Sequence, residues 1–247
     1  KGATFVDPQT GRTYFYVDKS ISLTLPTGEY EVLAARGPLT NLVSRTLKVK
    51  KSKTEQLKIE LAPIWDSSRG GYYSADFHGH LNGDGHQRAS HEDALLQMQG
   101  EDLNMLSPMS WNRWERLIDS DIVGKRTTQD AYTVVQGQEV RSHFHGHIGL
   151  LNITEPFTPW FFGPNNPLGD PDLTNADVFA YANKVGAFAT YVHSVGDDED
   201  PFSAEGNING IPLELVSDGV LEPKMGLELV CAWTSPLGTS ELWYRLL

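Results

Sequence analysis

The chain has 247 residues, 39% hydrophobic and 21% charged, with a formal net charge of -12 and a single cysteine, so it can bury a sizeable core but cannot form an internal disulfide. The acidic balance argues against nucleic acid or an anionic membrane surface as a main partner, because no basic face is available to neutralise phosphates. No apolar run approaches the ~18–20 residues that cross a bilayer, so no membrane span is expected.

The chain opens at Lys1 without a methionine and runs straight into strand-like sequence, which reads as a processed or truncated start. Residues 1–62 alternate in the β period at Ile21, Leu23 and Leu25, at Tyr30, Val32 and Ala34, and at Leu57, Ile59 and Leu61. Pro26-Thr27-Gly28 and Arg36-Gly37-Pro38 supply turns between these runs, and a small β-sandwich used for support or attachment is expected. Pro63 to Gly71 reads as a linker. From Tyr72 onward short strand patterns alternate with helical ones, which indicates α/β architecture for residues 72–247. Strands are expected over 72–77, 132–136, 187–192 and 227–233. Ser90 followed by Asp93 opens one helix, with Gly100 as its stop. Thr174 followed by Asp177 opens another, with Gly186 closing it, and residues 239–247 read as a last helix.

All eight histidines lie between positions 78 and 193. His78-Gly79-His80 leaves the end of an expected strand, an arrangement that places two imidazoles on one cation. Further ligand types follow at Glu139, within His143-Phe144-His145-Gly146-His147, and at His193. His78, Glu139 and His193 each fall at or just beyond the end of a different strand, so three strands deliver metal-competent groups to one end of the fold. Imidazole with carboxylate suits zinc, manganese or iron, and a carboxylate such as Glu139 can bridge two ions. His143 and His145 share the parity of His147 and need not all touch metal; either is a candidate for substrate or solvent contact. Asp76 reads as a group that orients the strand end, and His91 as a surface residue at a helix N-terminus. Cys231 sits in the apolar run 227–233 and reads as a buried inert thiol. The acidic run Asp197-Asp198-Glu199-Asp200 is a calcium candidate or a plain solvated turn. Asn82-Gly83-Asp84-Gly85 lacks the ligand series of a calcium loop, and no nucleophile elbow, P-loop or dinucleotide fingerprint is present.

With those residues in place the chain resembles the PHP (polymerase and histidinol phosphatase) superfamily, and within it the CehA/McbA-type metallohydrolases that include carbaryl hydrolases. The matching segments are Gly71 to Asn82, Gly137-Gln138-Glu139, Gly146 to Leu151, Tyr191-Val192-His193 and Glu241 to Leu247, together spanning nearly everything from 71 to 247. Residues 1–62 are similar to the carboxypeptidase-regulatory-like β-sandwich that often precedes this branch. The resemblance implies a distorted (β/α)7 barrel, incomplete at its C-terminus, with two divalent ions and hydrolytic activity. Carried over by position, His78, His80 and Glu139 would hold one ion, and Glu139, His147 and His193 the second. His86 matches a histidine that some relatives use for a further metal or for substrate, and it is grouped with His145 as a candidate substrate contact. Ser107 to Asn112 stands where many members carry a Thr-Asp-His-type segment, which argues against a trinuclear centre. Relatives also carry a metal-binding aspartate soon after the Trp-Tyr-Arg-Leu-Leu stretch, which the resemblance would place beyond Leu247.

The expected function is a metal-dependent hydrolase that uses a metal-activated water on an ester, carbamate, amide or phosphoester of a small molecule. The alternative is a metal-binding or scaffold protein that engages a ligand or partner without turnover. A periplasmic or extracellular location is what the resemblance implies, and a homo-oligomer is compatible with the same reading.

Overall fold

The computed structural model describes residues 4–83, 88–142, 144–163, 172–196, 211–231 and 234–247. His86, His143 and the acidic run 197–200 lie outside the described residues. Two compact units form: Lys1–Asp76 with Ala89–Leu106 and Thr128–Val134, and Phe77–Arg88 with Ser107–Thr127 and Val135–Leu247.

In the first unit, β1 (Thr4–Val6) and β2 (Thr13–Phe15) make one antiparallel ribbon, and β3 (Gly28–Ala34) and β4 (Val43–Val49) make another with seven paired positions. The alternating stretches around Ile21–Leu25 and Leu57–Leu61 form no strand. α1 (His91–Glu101) begins as its sequence requires: Ser90 caps the Asp93 N–H, and the Asp93 carboxylate takes the Ser90 N–H in return. Its end differs from expectation. The helix passes through Gly100 to a left-handed cap at Asp102 (φ 54°), and Gly100 is needed for room, because a Cβ there would lie 2.5 Å from the Tyr16 ring. Arg36 grips the same end, with an ion pair of 2.7 Å to Asp102 and a hydrogen bond of 3.1 Å to the Gln99 carbonyl. His91, expected at the surface, is buried to 1% exposure. Being the first helical residue does not by itself point a side chain to water.

The second unit carries a large mixed sheet and few helices. Its strands are β5 (Ala75–Gly79) and β6 (Met105–Arg113), each mostly in this unit, and β7 (Arg116–Ile118); β8 (Arg126–Gln129) is divided between the units and β9 (Tyr132–Val135) belongs to the first up to Val134; β10 (Gly137–Val140), β11 (Ile148–Leu151), β12 (Phe188–Tyr191) and β13 (Gly226–Leu227) follow in the second. Neighbouring strands run β13-β12-β11-β10-β6, with β5 and β7 also paired to β6. The β10–β6 and β12–β13 pairs are parallel, whereas β11 is antiparallel to both its neighbours. Within the first unit, Met105 and Leu106 pair in parallel with Thr133 and Val134. α2 (Asn175–Val185) has the expected Thr174–Asp177 capping box and Gly186 stop; α3 (Leu215–Leu221) and α4 (Pro236–Leu246) follow. Val140, Ile148, Leu150, Val178, Phe179 and Tyr191 form the heart of the core, each less than a tenth exposed. Burying such side chains contributes about 1.5–3 kcal/mol apiece.

The expected strand over 227–233 is corrected to Gly226–Leu227: residues 228–231 take no strand form, and Val230 is exposed. β6 carries Pro108 and the polar residues Ser107, Ser110, Asn112 and Arg113, features that weaken a strand pattern. Both serines are hydrogen-bonded: Ser107 Oγ donates to the Val135 carbonyl (2.9 Å), and Ser110 Oγ accepts from Gln136 Nε2 (2.9 Å), whereas the buried Asn112 Oδ1 has no hydrogen-bond partner among the described residues. Among the described residues no helix is long and apolar enough to cross a membrane.

Candidate metal centre

Glu139 is the centre of the site. β10 lies between β6 and β11, and the approach is close: a Cβ on Gly137 would come within 2.6 Å of the Leu150 carbonyl oxygen and 3.0 Å of Met109 Sδ. Alternation along β10 sends Gln138 and Glu139 to opposite faces. Gln138 is buried and exchanges two hydrogen bonds with the Phe157 backbone, at 2.9 and 2.7 Å. Glu139, 2% exposed, meets three imidazoles. Its Oε1 is 2.8 Å from His147 Nδ1 and 3.2 Å from His193 Nε2, and its Oε2 is 3.3 Å from His80 Nε2. Burial works to raise its carboxyl, and hydrogen bonds from His147, His193 and His80 outweigh that, holding it well below the usual carboxylate range.

The imidazoles arrive by different routes. His78 and His80 lie at the end of β5 and just past it. His80 Nδ1 is 3.1 Å from the Met109 carbonyl oxygen, so we assign the proton to that nitrogen. His80 Nε2 faces Glu139 Oε2 at 3.3 Å, where it donates when protonated and turns a lone pair inward when not. Two lone pairs at this distance repel unless a proton or a cation lies between them. A ligating histidine that gives its other N–H to a backbone carbonyl is the usual outer arrangement of a metal site. His147 follows Gly146, whose φ of +106° and lack of a side chain are both required, since a Cβ would meet Pro212 at 2.5 Å and the Tyr191 ring at 2.7 Å. Asn175, at the start of α2, holds this turn by donating to the carbonyls of His145 (3.0 Å) and Gly146 (3.2 Å). Burial pushes the His147 imidazole down to about 4, against the opposing pull of Glu139. His193 sits just past β12 with φ +36°, in the sparsely populated left-handed region. Its Nε2 is 3.3 Å from His147 Nδ1, so two ring nitrogens converge on one carboxylate oxygen.

One ligand atom from each of His78, Glu139 and His193 lies within 4.8 Å of the others. The three residues expected to converge do so, but Glu139 lies within β10 rather than just beyond the preceding strand, and His80 and His147 join them. Donor type and arrangement fit a divalent cation. The cluster has a closed floor and a more open rim: the side chains of Glu139 and His147 are 2% and 10% exposed, those of His80 and His193 21% and 25%. Arg141 lies beside it, Nε 3.7 Å from Glu139 Oε1, with its guanidinium 5.0 Å from the Trp111 ring centre. His80 packs on the same indole at 4.7 Å between ring centres.

His145 faces elsewhere, toward Glu214 (4.0 Å) and the Phe162 ring, and its buried Nδ1 has no hydrogen-bond partner among the described residues. Two residues were not expected at the site. Glu228 places its carboxylate oxygens 2.9 and 3.1 Å from His78 Nδ1 and accepts the His193 backbone N–H at 2.8 Å. Burial tends to raise its carboxyl, but the hydrogen bond and charge of His78 hold it below its ordinary value. Cys231, expected to be buried and inert, is partly exposed, with its sulfur within 4.8 Å of ligand atoms on His78 and Glu228. The available signal was a lone carboxylate inside an apolar run. No protein-family model, curated protein or solved structure matches the chain.

Proposed function

We propose that the second unit is a metal-dependent hydrolase centre, built on a PHP-type barrel and acting on a carboxyl or carbamoyl ester of a small molecule. The observation that carries this reading is the convergence of His80, His147 and His193 on the buried Glu139 carboxylate, with His78 within reach of the same point. His78, His80, Glu139, His147 and His193 would hold the metal, with Glu139 placed between the two groups of imidazoles. A divalent cation, when bound, supplies positive charge that acidifies water and offsets negative charge growing on a substrate oxygen.

The chain's own residues supply the rest. Glu139 stays ionised because its surroundings favour the anion, and it keeps the imidazoles turned inward. Arg141 puts a fixed cation next to the cluster, where charge stabilisation is strongest in a site partly closed to water. Trp111 fixes both His80 and Arg141 and offers an apolar wall to an aryl group. The more open rim at His80 and His193 is the side from which a substrate would enter.

The test is metal content of the purified chain together with turnover of naphthyl carbamate and p-nitrophenyl phosphate, with and without chelator. Bound metal and chelator-sensitive turnover, faster on the carbamate, are expected, and Glu139→Gln abolishes both. Turnover indifferent to chelator overturns the reading. Bound metal with no turnover on a broad ester panel assigns a binding role instead.

A further inference from the structure

We propose that Glu228 is a positioning residue that sets two ligands at once. Its carboxylate fixes the proton on His78 Nδ1 and holds the His193 backbone in its left-handed conformation. The metal consequence rests on the hydrolase reading above, whereas the tautomer consequence stands without it.

The geometry is specific. Both Glu228 oxygens lie within 3.1 Å of His78 Nδ1, and an ionised carboxylate can only accept, so that nitrogen must carry hydrogen. His78 Nε2 is then left with its lone pair, the form a ligand needs. The second role uses Oε2, which accepts from the His193 N–H at 2.8 Å. A φ of +36° is costly for a non-glycine residue and persists only where its surroundings over-determine it. Glu228 is itself anchored, because its own backbone N–H donates to the Tyr191 carbonyl at 2.9 Å. The tie therefore runs from the end of β12, through one residue, to ligands that approach Glu139 from two separate segments. His80 achieves the same tautomer with the Met109 carbonyl, so the two members of the His-Gly-His pair are each fixed at Nδ1 by a different acceptor.

The decisive measurement is the nitrogen NMR pattern of the imidazole rings in metal-free protein, with His78 assigned by its loss in His78→Gln. In the native chain His78 is expected as the Nδ1–H tautomer, and in Glu228→Ala as a mixture with Nε2–H prevailing. An Nε2–H tautomer in the native chain, or no change in Glu228→Ala, overturns the proposal. A second arm measures zinc and cobalt affinity by titration calorimetry. Glu228→Ala is expected to lose about 10–100-fold, with Glu228→Gln, which keeps one acceptor, falling between. Unchanged affinity in Glu228→Ala also overturns the proposal. If the native chain binds no metal the hydrolase reading fails, while the tautomer measurement, which needs no metal and no folded variant to refute it, still decides the role of Glu228.

Discussion

The ribbons of residues 4–49 and the β10–β12 region of the second unit are both built from short antiparallel strands, yet they differ in burial. No side chain from 4 to 49 is buried, and Phe5, Val6, Tyr14 and Leu42 stand exposed. Along β10 and β11 nearly every residue is buried, including Gln138 and Glu139. A ribbon whose side chains are at most half-buried depends more on its paired backbone groups than on a packed core. A strand covered on both sides can hold a carboxylate where water does not screen it. The chemistry-bearing residues gather in the second kind of strand because only there do three imidazoles and a carboxylate act on one another strongly.

That contrast can be broken in order of size. Glu139→Ala is expected to be the most damaging single change, costing about 3–5 kcal/mol of stability in metal-free protein by stripping a buried ionic cluster of its anion; urea denaturation reads it, and a cost near zero would mean the cluster is ornamental. Leu150→Ala, in the core beside it, should cost about 2–5 kcal/mol by leaving a cavity. The third effect is acid lability. His147 sits at about 4 in the folded chain against 6.5 ordinarily, so between these values the unfolded chain binds more protons. Its contribution is full above about pH 6.5 and is lost as pH falls through about 4. Melting temperature measured across that window should drop in the native chain and drop less steeply in His147→Asn. Smallest of all, Val6→Ala in the first ribbon should change stability by about 0.5 kcal/mol or less. A ribbon substitution as costly as Leu150→Ala would show that these strands are covered after all.

Much of the site was legible in the sequence because its parts are chemically unusual: a His-Gly-His pair, a histidine after a strand, a glutamate closely followed by the His-Phe-His-Gly-His run. Capping boxes at Ser90 and Thr174 were equally legible, since they depend on side chains three residues apart. Glu228 was not, because an apolar run with one charge reads as a strand with one solvated position, and only the fold reveals that the position faces His78. β6 escaped for the opposite reason. Its proline and polar residues look like a loop until Gln136 and the Val135 carbonyl are known to be waiting for them. His91 shows a further limit, as nothing local to a helix start says which way its first side chain turns.

The contributors to the cluster come from near and far along the chain: His147 is 8 positions after Glu139, His193 is 54 positions after it, and Glu228 is 150 positions after His78. Closing these loops carries an entropic cost that grows slowly with their length and that the paired strands and packed core must offset. Any ion that prefers the finished cluster therefore favours, by mass action, chains whose segment near Glu228 has already docked. Its binding strength would act as a gauge of late assembly, falling for any change, however distant from the imidazoles, that lets that segment drift from Tyr191.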